Sequence, residues 1–552
     1  MNLLSADIKN KPARPERILQ FGEGVFLRAF ADELIDKLNE SGLFDGGIVI
    51  VPPTPRGSAE PLNRQDCLYT VLLRGLDAGA PKSSSRIITS VSRAVNAYTE
   101  YEDYIGCARN PELQIVISNT TEAGIAFDPD AKPDDKPPLG FPAKVAAFLY
   151  ERWSHFDGDP AKGLAFMPCE LIERNGRALR ECTLRHARAW GYGAAFIEWV
   201  ESSCVFADTL VDRIVTGYPV KEAAGLAAEF GYDDALLDAG ELFHLWAIDA
   251  GADVDAAHAD ATTDSAKNHP PINLPELLPF HKIGLNVMYT NNVERYGTRK
   301  VRLLNGAHTA LASCALIAGF DHVREAAAYP LFNKFLRKIL FEEVPEALSP
   351  AICGDELKTY AESVLERFAN PYINHNLSAI MLNATSKFQV RLLPSILSYH
   401  QKTGALPPML TFSLAAFIAY NKVKRVASDG NLYYTGTRTV GSTVYCYKVV
   451  DGTGALDFFS SEWPACNNGR NGDRYGSHNN GHNGSCNGGL TIETLRPFTK
   501  KVLANEELWG MDLNSIGGLT EQTAAHLFNI TSGGITAALQ AAVENSQQGT
   551  RC

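Results

Sequence analysis

Three polar side chains, Lys300, Asn305 and His308, stand in the otherwise largely apolar stretch Arg299-Lys300-Val301-Arg302-Leu303-Leu304-Asn305-Gly306-Ala307-His308-Thr309-Ala310. At about 100° per residue, an α-helix places the three within an arc of about 140°, so a single pocket can receive them all. Reduction of a ketone needs a proton for the incoming alkoxide and a donor to hold its oxygen. A lysine supplies that proton where burial lowers its pKa toward neutrality. An amide such as Asn305 donates to the developing oxyanion, and His308 can orient a substrate hydroxyl. The same residue types also serve as a surface lysine at a helix start, a capping amide and a core histidine. The pattern alone leaves both readings open.

A second group of residues has nucleotide chemistry. In Gln20-Phe21-Gly22-Glu23-Gly24-Val25-Phe26-Leu27-Arg28-Ala29 the glycines follow an apolar run and precede a helical pattern. A dinucleotide pyrophosphate would lie there, on helix N-terminal amides. Gly22 permits the tight turn, and Gly24 lets the backbone approach phosphate. Leu27 replaces the third glycine of the usual fingerprint, and a tight turn without ligand fits the spacing equally well. The ribose-binding acid expected after the second strand is missing from Val51-Pro52-Pro53-Thr54-Pro55-Arg56. Arg56 suits a 2′-phosphate or a solvated surface position. On these residues the choice between NAD and NADP stays open.

These groups need a scaffold in two parts. The chain has 552 residues, more than one ordinary core accommodates. Arg17–Phe21, Gly47–Val51, Leu113–Ile117 and Gly163–Met167 read as strands, with a helix over Phe26–Leu38. Beyond about residue 275 long helical patterns take over: Val301–Ala318, Glu356–Phe368, Asn376–Leu393 and Pro408–Asn421. The expected fold is α/β plus α. A Rossmann-type domain over residues 1–275 precedes a mainly helical substrate and catalytic domain over 276–552. A flexible Asn/Gly-rich surface insertion is expected near 466–489, where composition cannot offset the entropy of ordering.

Composition narrows the function classes. A net charge of −12 argues against a general nucleic-acid binder. No run reaches the roughly 20 apolar residues of a membrane helix. The N-terminus lacks the features of a signal peptide, so a cytoplasmic location is expected. The 11 cysteines lack framework spacing and read as reduced thiols. His478, His482 and Cys486 have metal-ligand spacing, but in a tract too poor in anchoring residues to hold a rigid site, so no metal is expected.

Around the Lys-x4-Asn-x2-His run and the Gly-x-Gly-x-Phe-x-Arg-Ala turn, the sequence resembles the polyol-specific long-chain dehydrogenase family typified by mannitol 2-dehydrogenase. Further blocks resemble the uronate branch of that family: Ser118-Asn119-Thr120-Thr121-Glu122-Ala123-Gly124, Pro168-Cys169-Glu170-Leu171-Ile172, Val211-Asp212-Arg213 through Tyr218-Pro219, and Arg367 through Tyr372. The resemblance implies reversible reduction of a keto-uronate, tagaturonate, to the aldonate altronate by NADH, without zinc. Fructuronate reductase and polyol 2-dehydrogenase are the alternatives within the family. A non-catalytic dinucleotide-binding protein is the alternative outside it. The resemblance makes Lys300 the general acid and base, Asn305 the carbonyl-polarising amide and His308 the positioning group. It assigns Phe21, Gly22, Gly24, Phe26, Asn119, Thr121, Glu122 and Asp212 to the cofactor. The sequence departs from mannitol dehydrogenases at Leu171 and Ala379, where an Asn and an Arg are usual. A sugar acid still needs a cation, and Lys387 and Arg391 are the candidates.

Overall fold

The computed structural model describes residues 1–250, 272–428, 431–440, 442–464 and 490–548. The Asn/Gly-rich stretch, with His478, His482 and Cys486, lies outside the described residues. Contacts divide the chain into two compact units, Met1–Gly297 and Thr298–Cys552.

The first unit is built on a six-stranded parallel sheet. Its strands are β1 (Glu16–Phe21), β2 (Gly47–Val51), β5 (Val91–Ala94), β6 (Ile115–Ser118), β7 (Ala165–Pro168) and β8 (Val205–Phe206), in the order β5-β2-β1-β6-β7-β8. Side chains alternate between the two faces of a strand, and here both faces are apolar. Ile18, Ile48, Ile50, Ile115 and Ile117 enter one core, whereas Leu19, Phe21, Val49, Val51 and Val116 enter the other. Strand order reverses between β1 and β6, the topological switch point where α/β sheets bind ligands.

Two further sheets complete this unit: β3 (Tyr69–Asp77) and β4 (Ala80–Ile88) with β10 (Val215–Gly217) and β11 (Asp238–Glu241), and β9 (Thr209–Asp212) with β12 (Leu245–Asp249) and β13 (Val287–Thr290). The helix expected over Phe26–Leu38 is two, α1 (Val25–Arg28) and α2 (Ala31–Glu40). The Ala29 carbonyl between them is taken at 2.6 Å by the buried Arg213 guanidinium. That long-range partner is invisible to local periodicity. Another helix, α3 (Phe141–His155), packs on β1 through Phe141 and Phe21, whose ring centroids lie 5.0 Å apart.

Helix α4 (Val293–Arg299) spans the division at Gly297 and leads into a π-helical turn, Lys300–Asn305, and then α5 (Gly306–Ala318), both in the second unit. The run Val293–Ala318 is long and apolar enough to cross a membrane, yet 72% of its most apolar stretch is buried within the protein. Below it in sequence come α6 (Gly354–Phe368), α7 (Ala384–Arg391) and α8 (Pro408–Tyr420), the last almost wholly buried. The helix expected over Asn376–Leu393 breaks at Asn383, which takes a left-handed φ of 52°. This unit also holds a sheet that the helical reading of the second half misses: β14 (Lys424–Ser428), β15 (Asn431–Val440) and β16 (Thr443–Val449), all antiparallel. Its signal is the Tyr, Thr and Val content of Leu432–Val440 and Thr443–Val449.

Candidate active site

At the switch point of the first unit, Phe21 ends β1 and the chain turns at Gly22. The Gly22 amide donates to the Val51 carbonyl at 3.0 Å, and the Asn119 amide donates to Phe21 at 3.0 Å. Gly22 has a φ of 136°, and a Cβ there would stand 3.0 Å from Leu27 Cδ1 and 3.1 Å from the Asn119 carbonyl. Only glycine fits this close approach. Gly24 precedes α1 without a side-chain cap, and a Cβ on it would meet nothing within 4 Å. The first amides of α1 have no acceptor within the helix. They border open space, a cradle of the kind that takes a pyrophosphate. Phe26, half-buried, stacks on Phe30 at 5.1 Å and steadies α1.

The loop after β6 forms the opposite wall. Thr121 holds a left-handed φ of 80° and accepts the Gly124 amide at 3.0 Å, while Glu122 is exposed. What shapes this loop is Glu170. Its carboxylate accepts the Ser118 hydroxyl at 3.0 Å, the Thr120 amide at 2.8 Å and the Thr120 hydroxyl at 2.9 Å. Burial pushes its pKa up against these hydrogen bonds. The sequence signal was an acid directly after a buried apolar strand. Asp212 is buried at the end of β9 in the third sheet.

In the second unit the π turn carries the Lys-Asn-His run. Lys300 opens the turn and Asn305 closes it, both half-buried, and His308 follows on α5, buried. An α-helix would rotate residues five apart by about 140°. The wider π turn, with an i→i+5 bond in place of i→i+4, reduces that angle and draws Lys300, Asn305 and His308 closer to one face. Arg299, just before the turn, is braced by Glu356 at 2.6 Å and lies over the Tyr360 ring at 4.4 Å.

The face of α7 that carries Lys387 and Arg391 meets this segment. Arg391 donates to the Thr309 hydroxyl at 3.3 Å, and that hydroxyl donates to the Asn305 carbonyl at 2.9 Å. A Cβ on Gly306 would stand 3.4 Å from the Arg391 carbonyl, so the two helices pack backbone to backbone. Lys387 donates to the Ile380 carbonyl at 2.9 Å. The N-terminus of α7 is held by Asp451, whose carboxylate accepts the Thr385 amide and hydroxyl, each at 2.8 Å.

His375 is the residue that sequence reasoning missed. Its ring lies 4.9 Å from that of His308, which also stacks on Phe368 at 4.1 Å. Its signal was weak: it stands three residues beyond the Arg367–Tyr372 block, in an irregular segment. Burial and then the charge of Lys387 lower the pKa of His375. Burial and then Arg391 lower that of Lys387, which Asp451 partly offsets, and burial lowers that of Arg391. Desolvated cations side by side favour an incoming anion. Among the described residues no three His, Cys, Asp or Glu side chains converge in a way that could hold a metal ion.

Residues 16–258 match the mannitol dehydrogenase Rossmann domain, and residues 292–431 match the mannitol dehydrogenase C-terminal domain. The chain belongs to the mannitol dehydrogenase family. It is 38% identical to the altronate oxidoreductase of Phocaeicola vulgatus over 97% of this chain and 98% of that one. It is 40% identical to the altronate oxidoreductase of Klebsiella pneumoniae over 95% and 96% of the two chains. The fold matches D-sorbitol dehydrogenase with a TM-score of 0.71 and 21% identity, covering 97% of this chain and 100% of that one. It also matches the Pseudomonas fluorescens mannitol 2-dehydrogenase, solved with NAD and D-mannitol, with a TM-score of 0.62 and 21% identity over 99% and 100%.

Proposed function

We propose that this chain reduces a keto-uronate, tagaturonate, to the aldonate altronate with NADH, reversibly. The observation that carries the reading is the pair of cations Lys387 and Arg391, with His375 beside them, packed against the segment that bears Asn305 and His308. A neutral polyol needs no such cluster, whereas a sugar acid carries a carboxylate that does. Near-full-length identity to two altronate oxidoreductases supports the same substrate class.

Each residue then has one task. Lys387 and Arg391 hold the carboxylate, with His375 beside them. Asn305 donates to the ketone oxygen, and its position is set through Thr309 by Arg391. Lys300 gives a proton to the oxygen as the carbonyl is reduced and takes it back in oxidation. His308, fixed against Phe368, orients a hydroxyl of the sugar. Gly22, Gly24, Phe26, Asn119, Thr121 and Glu122 surround the dinucleotide, which supplies the hydride when bound; Asp212 belongs to the proposed cofactor set by resemblance to the family. The enzyme class implies a cytoplasmic role in hexuronate metabolism. The test is initial-rate turnover of tagaturonate, fructuronate and fructose with NADH. Tagaturonate is expected to have the highest kcat/KM, at least about 100-fold above fructose; equal or better turnover of fructose overturns the reading.

A further inference from the structure

The β2 end lacks the acid that ordinarily binds the adenosine ribose, yet the structure brings a carboxylate to the same place from another strand. Glu23 lies between the two glycines of the turn that follows β1. The two strands are neighbours, with Phe21 opposite Val51. The Glu23 side chain runs across to the segment that leaves β2. There it lies so close to Gly57 that a Cβ on Gly57 would collide with Glu23 Oε1, and would stand 2.6 Å from Pro52 Cβ. Gly57 is held in a turn by its amide, which donates to the Thr54 carbonyl at 3.1 Å, and by Asn96, which donates to its carbonyl at 3.5 Å. The Glu23 carboxylate takes no hydrogen bond or ion pair from the described residues, so both its oxygens remain acceptors.

We infer that Glu23 accepts the adenosine ribose hydroxyls and thereby selects NAD over NADP. This rests on the coenzyme reading above. A carboxylate at the ribose accepts hydrogen bonds from the 2′- and 3′-hydroxyls, and it repels a 2′-phosphate placed at the same carbon. Arg56, the cation that would favour that phosphate, is exposed and directly precedes Gly57 in sequence. The acid has moved from the end of one strand to the turn of its neighbour, and the small residue at 57 makes room for it.

The experiment is calorimetric titration of the full-length protein with NADH and NADPH, without substrate. Wild type is expected to bind NADH at least about 30-fold more tightly than NADPH. Glu23→Gln keeps the shape and removes the charge; it is expected to shrink that ratio by about tenfold or more, chiefly by tightening NADPH. Gly57→Ala leaves the charge, displaces the carboxylate and presses on Pro52; it is expected to weaken NADH while circular dichroism shows the overall fold retained. If Glu23→Gln alters both affinities equally, Glu23 only shapes the turn and the inference falls. If wild type binds NADH but prefers NADPH, the inference also falls while a nicotinamide enzyme stands. If wild type binds neither, the coenzyme reading falls first.

Discussion

The imidazole of His375 meets that of His308 edge to face, with ring centroids 4.9 Å apart and planes at 70°. The two rings come from segments far apart in the chain, and Phe368 covers the other side of His308. A histidine whose pKa is lowered by burial and Lys387 is poised to gain a proton when an anion enters beside it.

His375→Ala is expected to raise KM for a keto-uronate by about tenfold with kcat little changed, because it removes a group that favours the bound anion. KM for a neutral ketose is expected to stay within about twofold. Steady-state kinetics on both substrates checks this, and an equal loss on both would assign His375 a packing role.

Lys300→Ala is expected to slow hydride transfer by about 100- to 10,000-fold, the range for loss of a positioned proton donor. NADH affinity, read by calorimetry, is expected to stay near that of wild type. Single-turnover absorbance of NADH distinguishes a slow chemical step from slow product release.

Asp451→Asn removes the charge that holds the Thr385 amide and hydroxyl at the start of α7. The expected cost is about 1 kcal/mol of stability, as for other helix caps. Because Lys387 and Arg391 ride on α7, KM for the sugar acid is expected to rise with it, and Asp451→Glu should restore part of the loss. A lowered melting temperature with unchanged KM would confine Asp451 to folding.

Glu343 offers a pH test. It is buried and accepts the Met409 amide and the Leu410 amide, the latter at 2.9 Å, at the start of α8. Burial pushes its pKa from 4.5 to about 7 despite those bonds. Between these values the folded chain binds more protons than the unfolded chain, so stability falls as pH rises. Its contribution is fully present below about pH 4.5 and is lost as pH rises through about 7. Asp32 and Asp238, also raised to about 7, act in the same direction in the first unit. Hydrogen exchange of the α8 amides therefore isolates the effect. Protection is expected to drop as pH rises from about 4.5 through about 7 in wild type, after correction for intrinsic exchange, and to vary less in Glu343→Gln.

The sequence by itself determined the parts whose signal is local. Apolar runs such as Gly47–Val51 declare strands buried on both faces, the glycines at 22 and 24 declare a tight turn, and the Lys300-Asn305-His308 run declares a polar cluster in an apolar segment. What only the tertiary structure decided depends on partners far away in the chain. At Ala29, where the helix breaks, Arg213 takes the carbonyl, and α7 starts where Asp451 caps it. The Lys-Asn-His run is wound as a π turn, for which the sequence carries no period of its own, and that winding narrows the spread of its three side chains. Glu170 and His375 act through contacts 50 or more residues away, so spacing could not reveal them. Local periodicity reports the energy of neighbouring residues along one element; the site is assembled by long-range hydrogen bonds and charges, which only folding brings into reach.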